Sequence, residues 1–170
     1  MKQRLIIFDG PDGCGKTEIS RALSKELGIT YFKNYDEHKH FENNPEYFAI
    51  ALEYVCSYFT SYLQQSGASM IFDRYWPSEW VYSQLLNRDT SMETLKELDS
   101  QYAKMGTVIV VPYRTDYTQV KDTYNVITSQ ILELDDLYKE FCEWTQCKVI
   151  RLCVDTEDLE LQLGTILANL

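Results

Sequence analysis

The sequence has neither a surplus of positive charge nor a long apolar run, and both absences exclude classes of function. Its 170 residues carry 26 acidic and 16 basic side chains, which gives a formal net charge of −10. An acidic surface repels the phosphates of nucleic acids and of anionic membranes, so we expect neither as a partner. Apolar stretches such as 108–111 are far shorter than the roughly 20 residues that cross a bilayer. The first residues lack a signal-peptide pattern, so a cytoplasmic location is expected.

Paired cysteines and internal repeats are missing as well. The five cysteines include no C-x-x-C pair, so we expect neither a disulfide framework nor a zinc site. No repeat, linker or low-complexity stretch divides the chain, and its length suits one compact domain over 1–170.

Short apolar runs alternate with helical patterns, which predicts an α/β fold. The predicted strands are 4–8, 29–33, 69–74, 107–113 and 148–154, and the predicted helices are 16–27, 45–65, 79–86, 91–104, 124–145 and 157–167. This alternation is typical of right-handed βαβ units, so we expect three layers, with helices flanking a five-stranded parallel sheet. Ligands of such sheets bind at the carboxyl ends of the strands.

A phosphate-binding loop follows the first predicted strand. Residues 10–17 match G-x-x-x-x-G-K-[ST] in full, between an apolar strand and a helix. The backbone N–H groups of such a loop surround phosphates, Lys16 adds a positive charge, and the Thr17 hydroxyl can ligate Mg²⁺. The residues predicted to contact ATP are Gly10, Asp12, Gly13, Cys14, Gly15, Lys16 and Thr17. Cys14 lies just before the helix, a position that can lower the pKa of a thiol. An N-K-x-D motif is absent, which disfavours a GTPase.

An Asp-Arg pair ends the third predicted strand, beside the strand of the phosphate-binding loop. Asp73 is a candidate ligand for Mg²⁺ or its water shell. The guanidinium of Arg74 has the forked donors that grip a phosphate.

Three stretches resemble the thymidylate kinase family: residues 8–12, then Asp73-Arg74-Tyr75, then Ser78 with Tyr82. The resemblance implies a P-loop kinase, similar to short phage-type members, that uses Mg²⁺ and ATP to phosphorylate a deoxynucleoside 5′-monophosphate. It also implies a homodimer formed through helices and small-molecule nucleotides as partners. In the implied site Asp12 contacts the sugar 3′-hydroxyl, Arg74 and Lys33 bind the acceptor phosphate, and Phe48, Ser78 and Tyr82 line the acceptor pocket. The acidic residue before the first glycine, Asp9, joins Thr17 and Asp73 as a candidate metal ligand.

The catalytic cation of the family comes from the P-loop or from a lid after the fourth strand. Because this P-loop has Gly13 and Cys14 and no arginine, the cation must come from the lid, predicted at 113–124. That segment offers Arg114 and Lys121, either of which could stabilise charge on the transferred phosphoryl group.

Base preference and acceptor type stay open in the sequence. Glu53 falls where the family often has an arginine that reads thymine, although a one-residue gap would place Leu52 there. A carboxylate would favour cytosine, adenine or guanine, and an exposed helical Glu53 would favour none. A deoxynucleoside kinase is the first alternative, with Asp36 or Glu37 as the base for a 5′-hydroxyl. A non-catalytic nucleotide-binding regulator is the second.

Overall fold

The computed structural model describes residues 3–33, 45–118, 120, 128–156 and 158–170. For residues 45–49, 51–53 and 128–129 it describes the backbone alone.

The described residues form five strands and six helices. The strands are β1 (Leu5–Phe8), β2 (Thr30–Lys33), β3 (Met70–Asp73), β4 (Val108–Tyr113) and β5 (Lys148–Cys153). The helices are α1 (Lys16–Leu27), α2 (Pro45–Ser66), α3 (Trp76–Leu85), α4 (Met92–Lys104), α5 (Thr128–Trp144) and α6 (Leu159–Ala168).

The strands form one parallel sheet in the order β2-β3-β1-β4-β5, which confirms the predicted α/β fold. Phe8 pairs with Asp73 on one side of β3, and Lys33 pairs with Asp73 on the other. The carboxyl ends of the three strands β2, β3 and β1 therefore meet at one edge of the sheet. The phosphate-binding loop leaves from this edge.

Both faces of the sheet are covered. Every residue of β1 and β3 is buried, as expected for apolar strands between two layers of helices. On one face Ile19 and Leu23 of α1 and Ile166 of α6 pack against the sheet. Side chains of α2, α3, α4 and α5 form a second core on the other face.

The starts of α3 and α6 differ from the sequence-based prediction by more than one residue. Helix α3 begins at Trp76 and not at 79, because Pro77 fits the first turn, where no backbone N–H is needed. Helix α6 begins at Leu159, where the Asp158 side chain caps it by accepting a hydrogen bond from Leu161 N at 3.0 Å. Residues 124–127 of the predicted fifth helix lie outside the described residues. Among the described helices, none is long and apolar enough to span a membrane.

Candidate active site

Two glycines of the phosphate-binding loop are required by close contacts. A Cβ atom on Gly10 would lie 2.7 Å from the Pro112 carbonyl oxygen, at the neighbouring strand β4. Gly13 has a φ of +75°, and a Cβ there would clash with a methyl group of Val120. Any other residue at these two positions would displace the loop. The shape of the loop therefore depends on its close packing against β4 and against the segment after β4.

Lys16 is held inside the loop with its ammonium group buried. Its side chain is 7% exposed, and Nζ donates a hydrogen bond to the Pro11 carbonyl oxygen at 2.6 Å. Burial, aided by the charge of Arg74, lowers the pKa of Lys16 to about 8, although Asp12 at 3.8 Å opposes the shift. An anion bound beside this amine would favour its charged form again.

Thr17, Tyr31, Lys33 and Asp73 form a group that we call the cation cluster. Thr17 Oγ1 and Tyr31 Oη donate hydrogen bonds to Asp73 Oδ2 at 2.6 and 2.8 Å. Lys33 Nζ donates to Thr17 Oγ1 at 3.0 Å and lies 3.5 Å from Asp73 Oδ2. The Asp73 side chain is 1% exposed, so its charge is balanced by side chains and not by bulk water.

Asp9 and its donors form a second group, which we call the anchor cluster. The Oδ2 atom of Asp9 accepts hydrogen bonds from Tyr75 N at 3.1 Å and Ser78 N at 3.0 Å. Its Oδ1 accepts from Gly10 N at 3.1 Å, Ser78 Oγ at 2.7 Å and Tyr138 Oη at 2.6 Å. Asp9 therefore connects the phosphate-binding loop to the start of α3 and to α5. These hydrogen bonds occupy both carboxylate oxygens of Asp9, which was predicted to bind a metal ion. They also occupy the hydroxyl of Ser78, which was predicted to line the acceptor pocket.

Arg74 has a backbone conformation that is rare for a residue with a side chain. Its φ is 63°, and its N–H donates to the Phe8 carbonyl oxygen at 2.9 Å. The guanidinium pairs with Asp12, lies 5.5 Å above the Tyr82 ring, and reaches Ser78 Oγ at 3.4 Å. Strain of this kind is typical of functional positions.

Asp12 joins Arg74 to the phosphate-binding loop. In addition to its pair with Arg74, it accepts a hydrogen bond from Tyr82 Oη at 3.2 Å. Burial opposes ionisation of Asp12, but Arg74 and Lys16 outweigh burial and hold its pKa below the usual value. The structure thus brings Asp12, Lys16, Arg74 and Tyr82 together, and their roles toward a nucleotide stay a prediction.

The segment after β4 contacts the phosphate-binding loop directly. Arg114 Nε donates to the Gly13 carbonyl oxygen at 3.0 Å, which places one of the two predicted lid cations at the loop. Tyr117 Oη accepts hydrogen bonds from Arg114 N at 3.2 Å and from Cys14 Sγ at 3.9 Å. Burial raises the pKa of Cys14, so the predicted lowering by the helix N-terminus is wrong.

Several predicted site residues cannot be placed. Lys121, Asp36 and Glu37 lie outside the described residues, as do the side chains of Phe48 and Glu53.

Comparisons with known proteins place the chain in a family. Residues 5–158 match the model of the family AAA_28, described as an AAA domain, so the chain belongs to that family. No curated protein sequence matches that of this chain.

Similar solved structures share the fold at low sequence identity. One is the YorR protein of Bacillus subtilis in complex with phosphorylated GDP (TM-score 0.72, 17% identity, 97% of this chain and 94% of that one). Another is the deoxyadenosine kinase of M. mycoides with dCMP and dCDP (0.59, 19%, 98% and 97%). A third is the thymidylate kinase of Ehrlichia chaffeensis (0.62, 12%, 98% and 98%). The chain has the fold of a P-loop nucleotide or nucleoside kinase.

Proposed function

We propose that the protein is a nucleoside-monophosphate kinase that transfers a phosphoryl group from ATP to a deoxynucleoside 5′-monophosphate. The observation that carries the proposal is the convergence of Lys16 from the phosphate-binding loop with Arg74 from the end of β3. Both are joined by one carboxylate, Asp12, which lies 3.8 Å from Lys16 Nζ and pairs with the Arg74 guanidinium. On this proposal Lys16 would face the donor phosphates and Arg74 the acceptor phosphate.

The proposed reaction needs positioning and charge more than it needs a base. A monophosphate acceptor is already an ionised nucleophile, so no proton has to be removed from it. Lys16 and the loop N–H groups would hold the donor phosphates, and Arg74 the acceptor phosphate. Arg114 would stabilise charge on the transferred group, since its Nε already lies 3.0 Å from the loop carbonyl of Gly13. Lys121 remains the second candidate for that role.

The donor set at the end of β3 fits Mg²⁺. Thr17 Oγ1 and Asp73 Oδ2 lie 2.6 Å apart, and Mg²⁺ prefers hard oxygen ligands such as a hydroxyl and a carboxylate. When bound there with the nucleotide, the ion would neutralise charge on the donor phosphates. We do not include Asp9 among its ligands, because both of its oxygens accept hydrogen bonds from other protein groups.

The experiment is a panel assay with Mg²⁺·ATP and each natural deoxynucleoside and its 5′-monophosphate, scored by ADP release. Turnover of dTMP would support the thymidylate kinase resemblance, whereas turnover of dCMP, dAMP or dGMP would support Glu53 as a base reader. Turnover of nucleosides alone would favour the deoxynucleoside kinase, in agreement with the similarity to the M. mycoides enzyme. Release of ADP must disappear in Lys16→Ala, and silence across the panel with ATP still bound would contradict the kinase proposal.

The same proposal includes a homodimer formed through α2. Ile50, Tyr54, Tyr58 and Tyr62 are exposed and recur every four residues, so they form a stripe along one side of the helix. Residues 54–66 include no charged side chain in a chain of net charge −10, so a second copy could pack there without like-charge repulsion. Light scattering should give a dimer mass for the wild type and a monomer mass for Tyr58→Glu. A monomeric wild type would contradict the dimer.

A further inference from the structure

Lys33 occupies an unexpected place for a residue that was predicted to bind the acceptor phosphate. Its ammonium lies 3.0 Å from Thr17 Oγ1 and 3.5 Å from Asp73 Oδ2, the two oxygens to which we assign Mg²⁺. The register explains the contact, because Lys33 is the last residue of β2 and pairs with Asp73 across the sheet.

An ammonium group and Mg²⁺ cannot share this place. Thr17 Oγ1 donates its proton to Asp73 and accepts a hydrogen bond from Lys33, so a metal ion bound to both oxygens would lie directly beside the ammonium group. Two cations this close also repel each other strongly inside a protein. Lys33 has a route away, since its side chain is 33% exposed, whereas that of Asp73 is 1% exposed.

We propose that Lys33 is an exchangeable counterion of Thr17 and Asp73, which Mg²⁺ displaces, and that the displaced ammonium then completes the acceptor-phosphate site. The inference rests on the proposed function. Arrival of the metal with the donor nucleotide would thus prepare the site for the acceptor. Lys33 is on this view a positioning residue that couples the two halves of the active site.

The first test measures ADP affinity by calorimetry as a function of Mg²⁺ concentration. The variants are Lys33→Met, Lys33→Arg and, as a matched control, Lys25→Met, which removes an exposed lysine of α1. Removal of a competing cation should lower the Mg²⁺ concentration at half effect by about 3–10-fold in Lys33→Met. Lys33→Arg and Lys25→Met should match the wild type. A Lys33→Met midpoint equal to that of the wild type would overturn the inference.

The second test separates displacement from a general effect of charge. The wild-type protein is treated briefly with acetic anhydride, and acetylation of Lys33 is measured by mass spectrometry, with Lys25 as the internal standard. Acetylation of Lys33 should rise several-fold when Mg²⁺ and ADP are added together and not when ADP is added alone. A charge effect without displacement would leave acetylation unchanged and would overturn the inference.

The two failures can be told apart. If Mg²⁺ has no effect on ADP affinity in the wild type, the metal assignment of the proposed function fails together with the inference. If Mg²⁺ strengthens ADP binding equally in the wild type and in Lys33→Met, the proposed function stands and the inference alone fails.

Discussion

The anchor cluster and the cation cluster are neighbours, yet they hold their carboxylates in different ways. Asp9 directly follows β1 and Asp73 ends β3, and their side chains are 0% and 1% exposed. Three backbone N–H groups and two hydroxyls donate to Asp9. Among the described residues, the side chains that contact the Asp73 carboxylate are two hydroxyls and one ammonium.

The kind of donor decides what each carboxylate can do. Backbone N–H groups cannot leave Asp9 without breaking the loop and the first turn of α3, so Asp9 is suited to fixing the geometry of the site. Side chains can rotate away from Asp73, so it can exchange one cation for another. A site that binds a metal with its substrate needs both, a rigid support and an exchangeable ligand.

The largest effect is expected from Asp9→Asn. The new amide group would face N–H or O–H donors where the carboxylate now accepts, and at least two buried donors would lose their partner. We expect the free energy of unfolding to fall by about 3–5 kcal/mol, or roughly 6–20 °C in Tm for a chain of this size. Thermal unfolding without nucleotide measures the effect.

Tyr138→Phe is the matched control for the anchor cluster. It removes one of the five donors to Asp9 and leaves the charge in place, so we expect a loss of only about 1 kcal/mol. If Asp9→Asn were as mild as Tyr138→Phe, the anchor role of Asp9 would be wrong.

Asp73→Asn should have little effect on stability and a large effect on Mg²⁺-dependent nucleotide binding. The hydroxyls of Thr17 and Tyr31 can turn to the remaining amide oxygen, and Lys33 can turn to solvent, so stability should fall by about 1 kcal/mol or less. Mg²⁺-dependent ADP binding should weaken by about 10–100-fold. Calorimetry with and without Mg²⁺, beside a melting curve, measures both quantities. Unfolding as severe as that of Asp9→Asn, or unchanged metal dependence, would remove the distinction between the two clusters.

The sequence predicts one cluster better than the other for a physical reason. Thr17 and Asp73 belong to short sequence motifs that indicate their functions, and the parallel sheet brings the two motifs together. The anchor cluster includes Tyr138, which is 129 positions from Asp9 and lies on a helix with no motif of its own. Only packing of α5 against α3 creates this contact, so no local pattern could predict it.

The strands could be predicted from the sequence, whereas the contact of Lys33 could not. The sequence pattern located all five strands to within one residue at each end, most clearly β1, β3 and β4, whose residues are nearly all apolar and buried between two layers. The contact of Lys33 with Thr17 follows from the register of β2 against β3, which the sequence alone does not define.

Lys16 is a buried cation of the same site and can be compared with the two buried carboxylates. Its ammonium is buried; it donates to a neutral carbonyl at 2.6 Å, and the carboxylate of Asp12 lies 3.8 Å away. Its pKa of about 8 lies below the ordinary 10.5, so the folded protein disfavours the charge until an anion binds. We therefore expect Lys16→Met to lose ATP binding and yet to stabilise the ligand-free protein by about 1–3 kcal/mol at pH 7.

The pH dependence of this gain identifies its cause. Below pH 8 the amine is charged in both the folded and the unfolded chain, so the folded wild type bears the full cost and the gain of Lys16→Met is largest. Between pH 8 and 10.5 the folded chain loses the proton first, the cost disappears, and the gain should shrink toward the apolar contribution of methionine alone. Melting curves of wild type, Lys16→Met and the exposed-lysine control Lys96→Met at pH 7 and pH 10 measure the difference. A gain that is equal at both pH values would mean that packing, and not a buried charge awaiting phosphate, sets the stability of this loop.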